Sequence, residues 1–109
     1  MTVKEFAQAT GFSVISLPCP QKVVAGVYAG DLLSWVMGRA NPSDAWVTIM
    51  SNNNIIAVAT LADTSCIVLA EGVTLDADVL ALANEKGVNV LKSDLPIYET
   101  AVRIHGALS

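Results

Sequence analysis

Apolar and polar positions change their period several times along this chain. Near the start, Val3, Phe6 and Ala7 fall on one face of a helix, and Thr2 and Glu5 have the spacing of a capping box. A short helix is expected over 3–9, ending at Gly11. "FSVISL" then alternates and is rich in β-branched residues, which predicts a strand closed by Pro18 and Pro20. "KVVAGVYAG" is a second β-like stretch, with Gly26 as a bulge or point of close contact. In "GDLLSWVMG", Asp31 stands where it can cap a short helix that stops at Gly38. Leu32, Leu33, Trp35 and Val36 make that helix apolar almost all round, so burial on more than one side is expected.

From Ala45 the pattern becomes regular. "AWVTIM" reads as a strand and 54–62 as a helix of small residues. "SCIVLA" is a strand with no polar alternation. "TLDADVLALANEKG" is a helix whose apolar positions 75, 79, 82 and 83 follow helical spacing. Thr74 is its expected cap, Asp76 and Asp78 lie in its first turn, Lys86 in its last, and Gly87 stops it. "VNVL" is the next strand. "LPIYETAVRIHGAL" is the last helix, with Pro96 in its first turn and Ile97, Ala101, Ile104 and Leu108 on one face.

The order β-α-β-α-β-α over residues 45–108 predicts a parallel sheet with right-handed crossovers. The unbroken apolar run "CIVLA" agrees, because parallel strands are covered on both faces. The fold class is thus a small three-layer α/β domain with a mainly parallel sheet and an N-terminal extension of helix and strand. Its 109 residues suit one domain, 1–109.

Composition adds one pressure. The hydrophobic fraction is 53%, and a small domain has much surface for its volume. Part of that apolar material is expected to be buried against another copy, with Trp35 and Trp46 as interface anchors of a homodimer. No apolar run approaches the ~20 residues of a membrane span. The N-terminus lacks the pattern of a signal peptide, so the expected compartment is the cytoplasm. Net charge is −4, and the six Lys and Arg residues are scattered, which argues against nucleic acid as a partner. Cys19 and Cys66 are read as free thiols. With a single His105 elsewhere, no metal site or other cofactor is implied.

In parallel α/β units the strand-to-helix loops share the carboxyl edge of the sheet, where ligands commonly bind. Here those loops are "SNNN" (51–54), "EGVT" (71–74) and "KSD" (92–94). Asn54, Thr74 and Ser93 or Asp94 are their expected caps. The candidate ligand site is Asn52, Asn53, Asn54, Glu71, Gly72, Thr74, Ser93 and Asp94. No phosphate-binding G-x-x-x-x-G-K-[ST] loop and no triad arrangement is present, so no catalytic residue is nominated.

The run "CIVLAEGVTLDADVLALANEKGVNVLKSDLPIYETA" resembles the second half of the DRTGG domain, and "GVYAGDLLSWVMGRANPSDAWVTIMSNNNIIAVATLAD" its first half. The resemblance runs over about residues 2–107. It is strongest to stand-alone members, which are likened to the N-terminal domain of HPr kinase/phosphorylase. Where the family has Asp-Arg, this chain has Asn53 and Asn54. Where the family has Thr-Gly-Gly, it has Ala70, Glu71 and Gly72. The resemblance implies a non-catalytic regulatory or ligand-sensing module, dimeric, with a nucleotide-like metabolite at the carboxyl rim. For stand-alone members it also implies the alternative of an accessory protein whose partner is redox- or hydrogenase-related.

Overall fold

A computed structural model describes all 109 residues. The elements run α1 (Val3–Thr10), β1 (Ser13–Ser16), β2 (Gly26–Ala29), α2 (Leu33–Arg39), β3 (Asp44–Thr48), α3 (Asn54–Ala62), β4 (Cys66–Leu69), α4 (Ala77–Lys86), β5 (Val90–Lys92) and α5 (Ile97–Leu108). The five strands form one sheet in the order β1-β5-β4-β3-β2. β2, β3, β4 and β5 are mutually parallel, and β1 joins β5 antiparallel. The expected parallel core is therefore one strand larger than its 45–108 limits. The two N-terminal strands do not form a unit of their own. They lie at opposite edges.

The layers follow from strand alternation. Ala45, Val47, Cys66, Val68 and Leu91 point to one face, where Val3 and Phe6 of α1 and Ile104 of α5 cover them. Trp46, Ile67, Leu69 and Val90 point to the other, under Val36 of α2, Ile55 and Ile56 of α3, and Val79 and Ala83 of α4. β3 and β4 sit in the middle and are buried along their whole length. That is the reason "CIVLA" carries no polar residue.

The capping box of α1 forms as expected. Glu5 N–H donates to Thr2 Oγ1 at 3.2 Å, and Thr2 N–H donates to Glu5 Oε1 at 2.8 Å. That second bond, with the Thr2 side chain, holds the Glu5 carboxyl below its usual pKa. Gly26 is a point of close approach: a Cβ there would lie 2.7 Å from Asp44 Oδ1. Any side chain would have to push the neighbouring strand's first residue aside.

Four local expectations are corrected. Asp31 does not cap α2, whose N-cap is Leu32. Its carboxylate instead accepts from Thr48 Oγ1 at 2.7 Å and from Ile49 N–H at 3.0 Å, because the parallel register of β2 and β3 sets Asp31 beside the carboxyl end of β3. α2 is not enclosed on several sides. Only Val36 is buried, while Leu32, Trp35 and Met37 are about half exposed. α4 starts two residues later than its apolar pattern suggests. Asp76, not Thr74, is the N-cap, and Leu75 packs on the core from the loop. Pro96 precedes α5 as its N-cap and is not in its first turn.

Candidate functional site

The carboxyl ends of β2, β3, β4 and β5 meet along one rim, and the three loops of interest all lie there. They are not equally available. The turn after β4 is stitched to the loop after β5. Glu71 N–H donates to Leu95 O at 2.8 Å and Gly72 N–H to Ser93 O at 2.9 Å. Both residues are in the left-handed region, with φ of 59° and 70°. A Cβ on Gly72 would sit 3.3 Å from Asp94 Oδ1, so the two loops are also in side-chain reach. The sequence brings Glu71, Gly72, Ser93 and Asp94 together as expected, but the backbone N–H groups of the turn are already used.

Ser93 faces inward. It is 2% exposed, its Oγ lies 2.8 Å from Thr100 Oγ1, and it accepts from Leu95 N–H at 3.1 Å. It fixes the entry into α5 and presents nothing to solvent. Asp94 is exposed and stands 3.7 Å from Lys92 Nζ. A pair this open contributes little to stability. Thr74 is exposed, three residues before the first turn of α4.

The Asn triplet is hydrogen-bonded within its own turn and to the start of α3. Asn52 Oδ1 accepts from Asn54 N–H at 3.0 Å, Asn52 O from Ile55 N–H at 3.3 Å, and Asn53 O from Ile56 N–H at 3.1 Å. Asn53 occupies the N-cap position without a side-chain cap bond, and Asn54 is the first helical residue. The expected cap at Asn54 is thus displaced two residues back, onto Asn52. Asn53 has a second neighbourhood. It lines a groove of about 370 Å³ between α3 and α4, with Ile56, Ala57, Thr60, Leu61, Leu82 and Lys86. Of the eight candidate residues, only Asn53 borders a cavity. The other cavity, about 400 Å³, lies by α1 and β1 near Gln8 and Val14, away from the rim.

What the rim keeps free are the first turns of α4 and α5. Neither has a side-chain cap. Their N–H groups and helix dipoles favour negative charge. Asp76, Asp78, Glu71 and Glu99 stand close in sequence to these ends and oppose an unaccompanied anion. Sequence reasoning missed Asp31, whose carboxylate ties the β2 and β3 ends of the rim together. Its signal was the Gly30-Asp31 pair directly after a strand, which was assigned to helix capping. Of the two tryptophans nominated for an interface, Trp46 is 0% exposed, with its Nε1–H donating to Gly30 O at 2.9 Å. It is a core residue. Trp35 is 52% exposed, with the Arg39 guanidinium 3.7 Å above its ring.

With this geometry in place, comparison with known proteins decides the family. The family model of the DRTGG domain matches residues 22–107. The chain belongs to the DRTGG domain family. No curated protein matches its sequence. Its fold is similar to a crystal structure of the CBS and DRTGG domains of the regulatory region of Clostridium perfringens pyrophosphatase, complexed with the activator diadenosine tetraphosphate. The TM-score is 0.75 at 12% identity, over 98% of this chain and 47% of that one. The chain thus spans about half the length of that structure, and at this identity the likeness is one of fold. No helix is long and apolar enough to cross a membrane.

Proposed function

We propose that this DRTGG domain is a non-catalytic regulatory module that senses a nucleotide-like metabolite at the carboxyl rim. The observation that carries the reading is the family match over residues 22–107. A similar fold captured with a dinucleotide activator supports it, as do the uncapped first turns of α4 and α5 on that rim. The proposed contacts are Asn52, Asn53, Asn54, Glu71, Gly72, Thr74 and Asp94, with Ser93 acting through the loop it fixes. Because Glu71 replaces a small residue of the signature, the ligand is expected to arrive with a cation or to carry an amine. We further propose that the module works as a cytoplasmic homodimer.

The test is calorimetry and thermal shift with diadenosine tetraphosphate and simple adenine nucleotides, with and without magnesium. A ligand that binds only the folded state must raise the melting temperature. Gly72→Leu, once shown to be folded, should weaken binding by more than tenfold. Absence of binding to every nucleotide tested would overturn the sensing reading. It would favour the competing one, docking on a redox- or hydrogenase-related protein, for which the exposed Leu32, Trp35 and Met37 speak.

A further inference from the structure

α3 and α4 lie side by side on one face of the sheet. Both are crossovers between parallel strands, so both run from the carboxyl rim to the amino rim. Between them lies the groove of about 370 Å³. Ile56, 1% exposed, is its floor, and Ala57 presents only a methyl group to it. Leu82 lines it from α4. Leu61 stands on its lip at 70% exposure, the most exposed large aliphatic side chain of the molecule. Thr60 turns its hydroxyl onto its own helix, donating to Ile56 O at 2.9 Å. A mostly apolar hollow with few polar groups is the ordinary form of a small-molecule site, and this one is at the lower end of the usual ~300–1,000 Å³.

The charges around the groove are one-sided. The chain has ten Asp and Glu against six Lys and Arg, yet no acid lines the groove, and its single charge is Lys86. Elsewhere the cations are engaged. Lys22 pairs with Asp63 and Lys92 with Asp94. Arg39 lies over the Trp35 ring, and Arg103 donates to Thr10 O. Lys86 has no acid within ion-pair distance. It stands in the last turn of α4, where the helix carbonyls carry partial negative charge. One lysine there balances one negative charge. A dianion or a polyphosphate would be opposed by those carbonyls.

We propose that the α3–α4 groove binds a small amphiphilic monocarboxylate, its apolar body on Ile56, Ala57, Leu61 and Leu82 and its carboxylate at Lys86. The length of the body follows from the helix. Asn53 to Leu61 is roughly 12 Å along α3 at 1.5 Å per residue. A chain that advances roughly 1.2 Å per bond fills this with about eight to ten carbons. Covering Leu61 and the groove walls removes apolar surface from water, which drives the binding. The lysine selects the sign of the head group. The site is distinct from the nucleotide reading: it lies between two helices, and Asn53 alone is common to both.

The experiment is a titration of the full, nitrogen-15-labelled chain with octanoate below its micellar concentration, followed by amide chemical shifts. Residues 53–61 and 82–86 should shift saturably. Octylammonium should bind at least fivefold more weakly, and octyl phosphate more weakly than octanoate. Ala57→Leu, which fills the groove from an exposed helical position, should weaken octanoate more than tenfold with unchanged far-ultraviolet circular dichroism. Lys86→Gln should weaken it about fivefold, the size of an exposed ion pair. Lys4→Gln, at the cavity by α1 and β1, should leave it unchanged. No saturable shift, equal binding of octylammonium, or shifts confined to α1 and β1 would each overturn the proposal. So would octanoate binding that survives both Ala57→Leu and Lys86→Gln. None of these results bears on the nucleotide test, whose variant lies at the rim.

Discussion

The two rims of the sheet are built from similar polar residues put to different ends. At the amino rim, residues 17–25 run from one edge of the sheet to the other, linking β1 to β2. This crossing is pinned by buried side chains and by main-chain bonds to the start of α1. Asn89, 1% exposed, accepts from Cys19 N–H at 2.9 Å and donates to Cys19 O at 2.7 Å and Ser65 O at 3.0 Å. Ser65 Oγ donates to Val23 O, and Lys22 pairs with Asp63 at 3.4 Å. At the carboxyl rim the Asp31 carboxylate ties the β2 and β3 ends, the loops after β4 and β5 are tied by main-chain bonds, and the starts of α4 and α5 carry no side-chain cap. Polar groups at the amino rim are consumed by holding the chain, whereas the carboxyl rim has some to spare. That surplus is what the proposed ligand site would draw on.

The sharpest way to break the contrast is at Asn89. Asn89→Ala removes the partner of one N–H and two carbonyls, all in the buried half of the crossing. The expected loss is about 3 kcal/mol, since each unpaired buried polar group costs ~1–3 kcal/mol. Urea denaturation measures it. A loss below about 1 kcal/mol would mean that the crossing is held by its apolar residues, Leu17 and Val24, and that the rims do not differ as argued.

Cys66 begins β4 at the amino rim, and its thiol is pushed up to about 12 by burial, the Lys22 charge offsetting this only in part. The unfolded thiol ionises from about pH 9, while the folded one stays protonated. Between those values the unfolded state releases a proton that the native state keeps, so stability falls as pH rises, by about a kcal/mol for each pH unit. Other groups titrate there too. The measurement is therefore the difference between wild type and Cys66→Ala, whose gap in stability should narrow above pH 9. A thiol reagent at neutral pH should modify only Cys19 in the native protein.

At the carboxyl rim the strain is local. Glu71 holds a φ of 59° without being glycine, and that conformation costs a residue with a Cβ about 1–2 kcal/mol. Glu71→Gly should therefore raise stability by about 1 kcal/mol, and Gly72→Ala should lower it by about the same. The pair of variants sharpens the comparison, because Glu71→Gly also removes an acidic group from the rim. If the side chain serves ligand recognition, binding of a cation-accompanied nucleotide should fall while the melting temperature rises.

Much of this contrast was legible in the chain, and the rest was hidden for definable reasons. Period and capping signals found every strand and helix, because "CIVLA", "IIAVATLA" and Thr2–Glu5 each act over a few residues. The strand order was not readable at the N-terminus. Whether β1 and β2 pair with each other or go to opposite edges depends on where residues 17–25 are pinned, and Asn89 is some 70 residues away from that segment. Helix caps failed for a related reason. Asp31, Thr74 and Asn54 have the chemistry of caps, but Asp31 was claimed by Thr48 and Ile49, a competition that spacing alone does not display. The candidate site was found as a set of loops. That Ser93 points inward, and that the 71–72 turn spends its N–H groups on the next loop, follows from contacts between loops.

The smallest expected effect lies in the Asn triplet. Asn54 has the right type and place for a cap, so its replacement by Ala would ordinarily cost ~1 kcal/mol. In the structure its side chain makes no cap bond, and the Asn54 N–H is satisfied by Asn52 Oδ1. Asn52→Ala should therefore carry the cost of about 1 kcal/mol. Asn54→Ala should be neutral within about 0.5 kcal/mol, or slightly stabilising, because Ala is the better helix former and the position is exposed. Thermal unfolding of the two single variants and the double variant decides it. If Asn54→Ala costs as much as Asn52→Ala, the triplet caps α3 through both side chains and has less freedom to face a ligand. If only Asn52 matters, Asn53 and Asn54 are left as exposed amides, Asn53 at the mouth of the α3–α4 groove, and a loss of nucleotide binding on replacing them is then a loss of contact and not of fold.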